Sequence, residues 1–360
     1  MARRLNWRVR SLSSGNRRDP MSRILLALLL AWAGASPAED AATQKLAMEV
    51  RVSGWIIFSA RTEAGDWDLF ACRPDGSQKR NLTNTPDLNE GYALLSRDGN
   101  RMIYRRTKRD ENFEGNRHGE QGEPVLSRSD GTGAKPMGAK GALPWASWSP
   151  DGKQVATLSI KGIAFIDLAS GQTVRTLKRN GFFQQMTWSP DGKWLSGVSN
   201  SFGTSWSDAR MNVATGDANA VSTLDCCTPD WFPDSSRMIF SNRQNKQGNN
   251  GYGWTQLWMA NADGTNAKLL YAEDGRHIYG GHVSPDGKYV LFSGNAEEDG
   301  DSGRAGSPMG LMRVSDAPVV GGESKMTRSR FPQAKSGPVL KLPVGWEPSW
   351  TLHEIFPAHK

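Results

Sequence analysis

The sequence has few of the residues on which metal, redox and nucleophilic sites depend. Its 360 residues include three cysteines, Cys72, Cys226 and Cys227, and five histidines. No C-x-x-C pair occurs, so zinc-ribbon and thiol-redox sites lack their ligands, and we expect buried thiols on strands. A disulfide from Cys72 to one of the other two is the alternative, which no spacing supports. The histidines show no paired metal spacing and no G-x-S-x-G elbow is present, so we predict no metal, no cofactor and no catalytic residue.

The body of the chain also has little excess charge. The formal charge is +7, but residues 1–38 contain seven arginines and one acid, which leaves +1 for the rest. A near-neutral body offers no electrostatic footprint for nucleic acid. The composition therefore predicts that nucleic acid is not a partner.

The N-terminus has the layout of an export leader. Arginines precede an apolar run at residues 24–31, and small residues follow at 33–38. The run is too short to span a bilayer, and this order is typical of a secretory signal peptide. We predict a leader over residues 1–38, with cleavage after Ala35 or Ala38 and Met21 as an alternative start. The mature protein is then periplasmic or secreted, without a transmembrane segment, and begins with a short linker over 39–50.

A repeat runs through the remaining sequence. The motif W-S-P-D-G-K at residues 148–153 recurs at 188–193 and, less perfectly, at 95–100, 231–236 and 283–288. Pro followed by Asp-Gly is turn chemistry, and an apolar stretch follows each copy. A second turn, usually Asp-Gly, comes later in each unit. Each unit therefore predicts four strands, A to D, in about 40 residues, which is the pattern of a propeller blade.

The ends of the repeat predict how the ring closes. The first unit has no strand A before its strand B at residues 55–59, and residues 345–350 match strand A with no strand B after them. We predict an all-β, six-bladed propeller over 51–351, closed by the C-terminal strand, with a tail at 352–360. The 14 tryptophans fit this fold, because a Trp at the end of strand A can wedge between blades.

These motifs resemble a known family. The W-S-P-D-G-K units, with D-G-T/S in the second turn and L-T after it, are similar to TolB-like (WD40-like) propeller repeats over about residues 50–351. The family's namesake carries an additional N-terminal α/β domain, for which residues 39–50 are too few. The resemblance implies a periplasmic or extracellular protein-interaction role, while some relatives place the propeller beside a serine peptidase domain and others cleave sugars.

The topology also predicts a working face. Antiparallel strands put the A–B and C–D turns on one face, here called the turn face, and the B–C and D–A loops on the other, the insert face. Length variation falls between strands B and C, at about residues 107–122, 200–208, 242–253 and 295–307. Inserts on one face of a repeat protein usually mark its binding side, although loops also vary neutrally.

The starts of the A strands would surround the channel mouth on the insert face. Aromatic, amide and acidic side chains there can hold a peptide or a sugar, although they can equally be packed strand ends. The candidates are Glu90, Tyr92, Trp145, Gln184, Gln185, Thr228, Tyr279, His282, Trp346 and Glu347.

Two functions follow from this prediction. The first is an envelope binding module for a protein or peptidoglycan-associated partner. The alternative is a carbohydrate-active lyase or hydrolase with its site at the same rim. The enzyme would be favoured if His277, His282 and a carboxylate such as Glu347 lay close together at the rim.

Overall fold

The computed structural model describes residues 37–113, 118–243, 255–273, 276–296, 307–317 and 337–356. The leader, other than its last two residues, and parts of three of the four inserts lie outside these ranges. In the described part, 24 strands form six four-stranded antiparallel sheets. The predicted six-bladed propeller is confirmed.

Each blade is given from its inner strand, A, to its outer strand, D. Blade 1 contains β24 (Trp346–Thr351), β1 (Trp55–Arg61), β2 (Trp67–Cys72) and β3 (Arg80–Asn81). Blade 2 contains β4 (Leu88–Leu95), β5 (Arg101–Lys108), β6 (Glu123–Arg128) and β7 (Lys135–Pro136). Blade 3 contains β8 (Ser147–Trp148), β9 (Gln154–Ser159), β10 (Gly162–Asp167) and β11 (Thr173–Leu177).

The other three blades follow the same order. Blade 4 contains β12 (Phe182–Trp188), β13 (Trp194–Ser199), β14 (Ser207–Asn212) and β15 (Ala218–Ala220). Blade 5 contains β16 (Cys226–Trp231), β17 (Arg237–Arg243), β18 (Thr255–Asn261) and β19 (Lys268–Tyr271). Blade 6 contains β20 (Arg276–Val283), β21 (Tyr289–Ala296), β22 (Pro308–Arg313) and β23 (Leu340–Val344).

The recurring Ser and Asp hold the A–B turns. In blade 3, Ser149 Oγ donates to Asp151 Oδ1 at 2.6 Å, and the same carboxylate oxygen accepts the Lys153 N–H at 3.0 Å. Ser149 Oγ also accepts the Gln154 N–H at 2.9 Å. The bond from Ser149 lowers the pKa of Asp151. The same Ser–Asp pair recurs in blades 2, 4 and 6, so local turn chemistry repeats around the ring.

The C-terminal strand closes the ring as predicted. β24 pairs antiparallel with β1, and Trp350 lies opposite Ile56. Trp350 stacks on Tyr289 of blade 6 with ring centroids 5.7 Å apart, and its Nε1 donates to Ser53 O at 2.7 Å. At the equivalent place in blade 3, Trp148 donates to the Leu94 carbonyl of blade 2 at 2.9 Å. These tryptophans therefore fill the junctions between neighbouring blades.

The segment predicted as a linker is instead part of a helix, α1 (Pro37–Val50). Leu46 and Val50 are fully buried and pack in one cluster with residues of blades 1 and 6. Glu49 accepts from Tyr289 and from Arg313, whose Nη2 lies 2.7 Å from Glu49 Oε2. These bonds lower the pKa of Glu49 to about 2. The helix therefore braces the two blades that the closing strand joins.

Two further predictions concern buried positions. The three cysteines are buried on strands β2 and β16, as expected, and no disulfide joins them. In the predicted tail, Ile355 is buried and Phe356 packs edge-on against Trp55, so its first residues belong to the folded body. None of the described helices is long and apolar enough to cross a membrane.

Candidate functional site

The inner strands share an unusual backbone feature. Each blade has one residue in its strand A segment with φ between +50° and +59°. This residue lies six positions before a fixed position of the A–B turn, which Asp occupies in five blades and His353 in blade 1. The pairing of strands A and B shifts register beside it in five blades, which is the mark of a β-bulge. We call these residues the bulge ring: Glu347, Tyr92, Trp145, Gln185, Thr228 and Gly280, in blades 1 to 6.

Bonds between blades hold the bulge ring. A left-handed φ is unfavourable for most side chains and most of all for a β-branched residue such as Thr228. Five of the six backbone N–H groups donate to an oxygen of the preceding blade or its loop. The pairs are Tyr92 to Ser59 Oγ (3.1 Å), Trp145 to Gly119 O (2.8 Å), Thr228 to Gln185 Oε1 (2.9 Å), Gly280 to Thr228 Oγ1 (3.2 Å) and Glu347 to Ser293 Oγ (3.3 Å).

A cavity of about 330 Å³ lies at the centre of the six inner strands. In each blade its lining begins at the bulge ring or just after it and extends toward the A–B turn, reaching for example Pro150 and Pro233. The cavity therefore lies on the turn side of the ring. Five of the ten residues predicted from the sequence line it: Tyr92, Gln185, Thr228, His282 and Glu347.

The insert side of the ring is packed with aromatic rings. Trp145 and Trp346 are each only 1% exposed. His118 lies between them, with ring centroids 4.9 Å from Trp145 and 4.4 Å from Trp346. Its Nε2 is 3.3 Å from Glu347 Oε1. His118 comes from the blade 2 insert, and nothing in its sequence context links it to Glu347, because only the folded loop brings them together.

The other predicted rim residues lie away from the cavity. Glu90 is buried against blade 1 and accepts from Thr85 Oγ1 at 2.5 Å. Burial, with Asp68 nearby, raises the pKa of Glu90 to about 8. Gln184 is buried, and Tyr279 is half-buried and packs against the aromatic cluster of Trp346. Since residues 114–117, 244–254 and 297–306 of the inserts are outside the described ranges, a site at the insert face stays a prediction.

The charges of the cavity lie on neighbouring blades. Asp230 Oδ2 accepts the Val283 N–H at 2.9 Å and lies 3.4 Å from His282 Nδ1. Burial lowers the pKa of His282, but the hydrogen bond and charge of Asp230, together with the charge of Glu347, outweigh it and raise the pKa above its usual 6.5. The convergence that would favour an enzyme is therefore met in part. His282 and Glu347 line one cavity, while the buried His277 does not line it.

Comparison with protein-family models and with curated proteins found no match. Among solved structures, TolB from Acinetobacter baumannii matches with a TM-score of 0.57 at 17% identity, over 83% of this chain and 67% of that one. The chain has a TolB-like β-propeller fold. An identity this low establishes the architecture and leaves the function to the site itself.

Other solved structures match the TolB-like propeller less closely. A putative TolB from Agrobacterium tumefaciens aligns at 17% identity over 59% of this chain and 79% of that one, with a TM-score of 0.41. An oligogalacturonate lyase in complex with manganese aligns at 16% identity over 71% and 69%, with a TM-score of 0.42. In the described part of this chain, no three His, Cys, Asp or Glu side chains are placed to hold a metal ion.

Proposed function

We propose that this protein is an exported binding module whose central cavity takes a short segment of a protein partner in the bacterial periplasm or cell envelope. The observation that carries the proposal is the cavity itself, which six inner strands line on the turn side of the bulge ring. Its volume of about 330 Å³ is at the lower end of ordinary ligand sites. It suits a short stretch of chain and excludes a folded domain. Export is inferred from the leader-like residues 1–38.

The proposal places the ligand on the turn side of the ring, whereas the sequence predicts the insert-side mouth. Two features support this choice. The buried rings of Trp145, Trp346 and His118 occupy the insert side. The bulges are held in strained backbone conformations by bonds between blades, and such strain is concentrated at binding and catalytic sites.

The experiment compares three single variants that keep the core intact. Gly280→Asn adds a side chain at a left-handed position where a Cβ meets no atom closer than 3.6 Å, so it should enter the cavity without displacing the core. Gly171→Asn makes the same change in a turn with nothing within 4 Å and is the matched control. Ile160→Asp changes a fully exposed residue at a B–C turn and probes the insert face.

The partner is first captured from envelope extract with wild-type protein, identified by mass spectrometry, and then titrated against each purified variant by calorimetry. We expect Gly280→Asn to lose at least about tenfold in affinity, since buried hot-spot contacts exceed 1.4 kcal/mol, and the other two to bind normally. Loss of binding in Ile160→Asp with normal binding in Gly280→Asn would move the site to the insert face. Capture of a peptidoglycan fragment or another sugar in place of a protein would change the class of partner.

The second candidate function is a carbohydrate-active lyase or hydrolase. The specific observation in its favour is the Asp230–His282 pair beside Glu347 in one cavity, because a carboxylate that orients a histidine is a common general-base arrangement. The test is release of reducing or unsaturated ends from a panel of neutral and acidic polysaccharides. Turnover by wild type that His282→Gln removes would support an enzyme, and no turnover by folded wild type would reject it.

A further inference from the structure

We propose that the cavity selects a ligand with an organic cation, a lysine-like ammonium or an arginine-like guanidinium, which enters the gap left by Gly280 and is held by Glu347 and Asp230. This inference rests on the proposed function and names the chemistry of the same site. It is argued below from the shape of the bulge ring, the charges that line the cavity and the group that competes with the ligand.

The shape of the bulge ring points to one entry. Five of its six positions, all of them described, carry a side chain, and the sixth is Gly280. A Cβ built at Gly280 lies 3.6 Å from Ser293 Oγ and 3.7 Å from Glu347 Oε2. A ligand group in this gap would therefore meet a hydroxyl and a carboxylate at once.

The charges that line the cavity favour a positive ligand. With histidine neutral, its charged lining residues are Asp230, Glu347 and Arg97. Arg97 is exposed in an A–B turn, while Glu347 is only 7% exposed. Asp230 Oδ1 has a single long contact, 3.5 Å from Thr187 Oγ1, so this oxygen has acceptor capacity left. Glu347 Oε1 lies 3.3 Å from His118 Nε2 on the insert side, whereas Oε2 faces the gap at Gly280. A hydrogen-bonded cation in the cavity would stabilise the buried carboxylate of Glu347 and the half-buried carboxylate of Asp230.

The same geometry argues against a metal ion. A hard cation such as Ca²⁺ takes six to eight oxygen ligands in proteins. Among the described residues no three acidic, His or Cys side chains, Asp230, His282 and Glu347 included, are placed to hold a metal ion. An ammonium or guanidinium group needs only directed acceptors, and two carboxylates with the Ser293 hydroxyl supply them.

His282 would compete with such a ligand for the negative charge of Asp230 and Glu347. It faces Asp230 of β16 and feels the charge of Glu347 of β24, and Arg97, on the turn of blade 2, is the one full cation among the lining residues. When His282 is protonated it supplies the positive charge that the ligand would bring. Binding of a cation should therefore release a proton, and affinity should rise with pH as His282 becomes neutral.

The probes are N-acetylated, C-amidated tripeptides Gly-X-Gly in which X is Lys, Arg, norleucine, Gln or Glu, titrated by ligand-observed NMR at pH 8. We expect the Lys or Arg peptide to bind wild type at least about tenfold more tightly than the norleucine peptide. This is the affinity difference that one charge-assisted hydrogen bond provides. Glu347→Gln should remove that preference. Asp217→Asn, which neutralises an exposed carboxylate of a C–D turn, should keep it.

A second variant guards against misfolding and tests the competitor. In His282→Gln the preference for Lys or Arg should persist, and its change between pH 6 and pH 8 should disappear. Equal binding of the norleucine and Lys peptides, tighter binding of the Glu peptide, or no binding of any cationic peptide at millimolar concentration would overturn the inference. The proposed function would stand in each of those cases if Gly280→Asn still weakened binding of the captured partner at least about tenfold.

Discussion

The junction between blades 1 and 6 should be the most sensitive point of the fold, and Trp350→Ala tests it. Trp350 is 7% exposed, stacks on Tyr289 and donates to Ser53 O. Replacing a core Trp with Ala costs about 3–5 kcal/mol, and the lost bond to the Ser53 carbonyl adds about 1 kcal/mol. We therefore expect a loss of about 4–6 kcal/mol, a large share of the 5–15 kcal/mol typical of folded proteins.

The measurement is thermal unfolding followed by circular dichroism. At about 2–4 °C per kcal/mol for a chain of this size class, Tm should fall by roughly 10–20 °C. Trp206→Ala is the matched control, because Trp206 is half-buried in the B–C loop of blade 4, away from the closing junction, and packs edge-on against Phe183. Its Tm should fall by no more than about 5 °C. Equal losses in the two variants would refute the idea that closure limits stability.

Three other expectations can be tested directly. Glu49→Gln should lower the free energy of unfolding by about 1 kcal/mol at pH 7, a small value because the Glu49 side chain is 38% exposed. Folding lowers the pKa of Glu49 from 4.5 to about 2. The difference between the two proteins in urea melts should therefore be present above pH 4.5 and vanish as the pH falls toward 2. Ser149→Ala removes two turn hydrogen bonds and should lower the unfolding free energy by about 1–2 kcal/mol in the same assay. N-terminal sequencing of protein from the periplasm or medium should begin at Ser36 or Glu39, and a mature chain that still carries residues 1–20 would contradict the leader.

The number of blades and the closing strand were predictable because turn chemistry is local. Pro, Asp and Gly each favour one part of the A–B turn. The Ser149–Asp151 bond of blade 3 is repeated by the equivalent residues of blades 2, 4 and 6. The number of times such a turn recurs in the sequence therefore indicates the number of blades. The unmatched strands at residues 55–59 and 345–350 then leave one way to close the ring, which the pairing of β24 with β1 follows.

The helix α1 and the position of His118 were not predictable because they depend on tertiary contacts. The helix has an Ala-rich, polar sequence in which few residues other than Leu46 and Val50 mark a buried face, so its pattern lacks the apolar stripe by which an amphipathic helix is found. His118 lies in an insert without periodicity and contacts Glu347, which is 229 positions away in the sequence. Neither the packing of α1 on the propeller nor the contact of His118 with Glu347 produces a recognisable pattern in the neighbouring sequence.

The bulge ring explains why the sequence predicts a site on the insert side of the inner strands, while the cavity lies on the turn side of the same strands. Sequence patterns locate strand A and its polar residues, yet the pleat alone would send neighbouring side chains alternately inward and outward. A bulge adds one residue and redirects the strand, so Gln185 and Glu347 line the cavity while their neighbours Gln184 and Trp346 are buried away from it. Five ring positions carry a side chain at a positive φ, which strains their backbone. Gly280 has no side chain and adopts a positive φ without that strain. The space in front of Glu347 therefore depends on a single glycine, which is why Gly280→Asn separates the binding role of the cavity from its role in the fold.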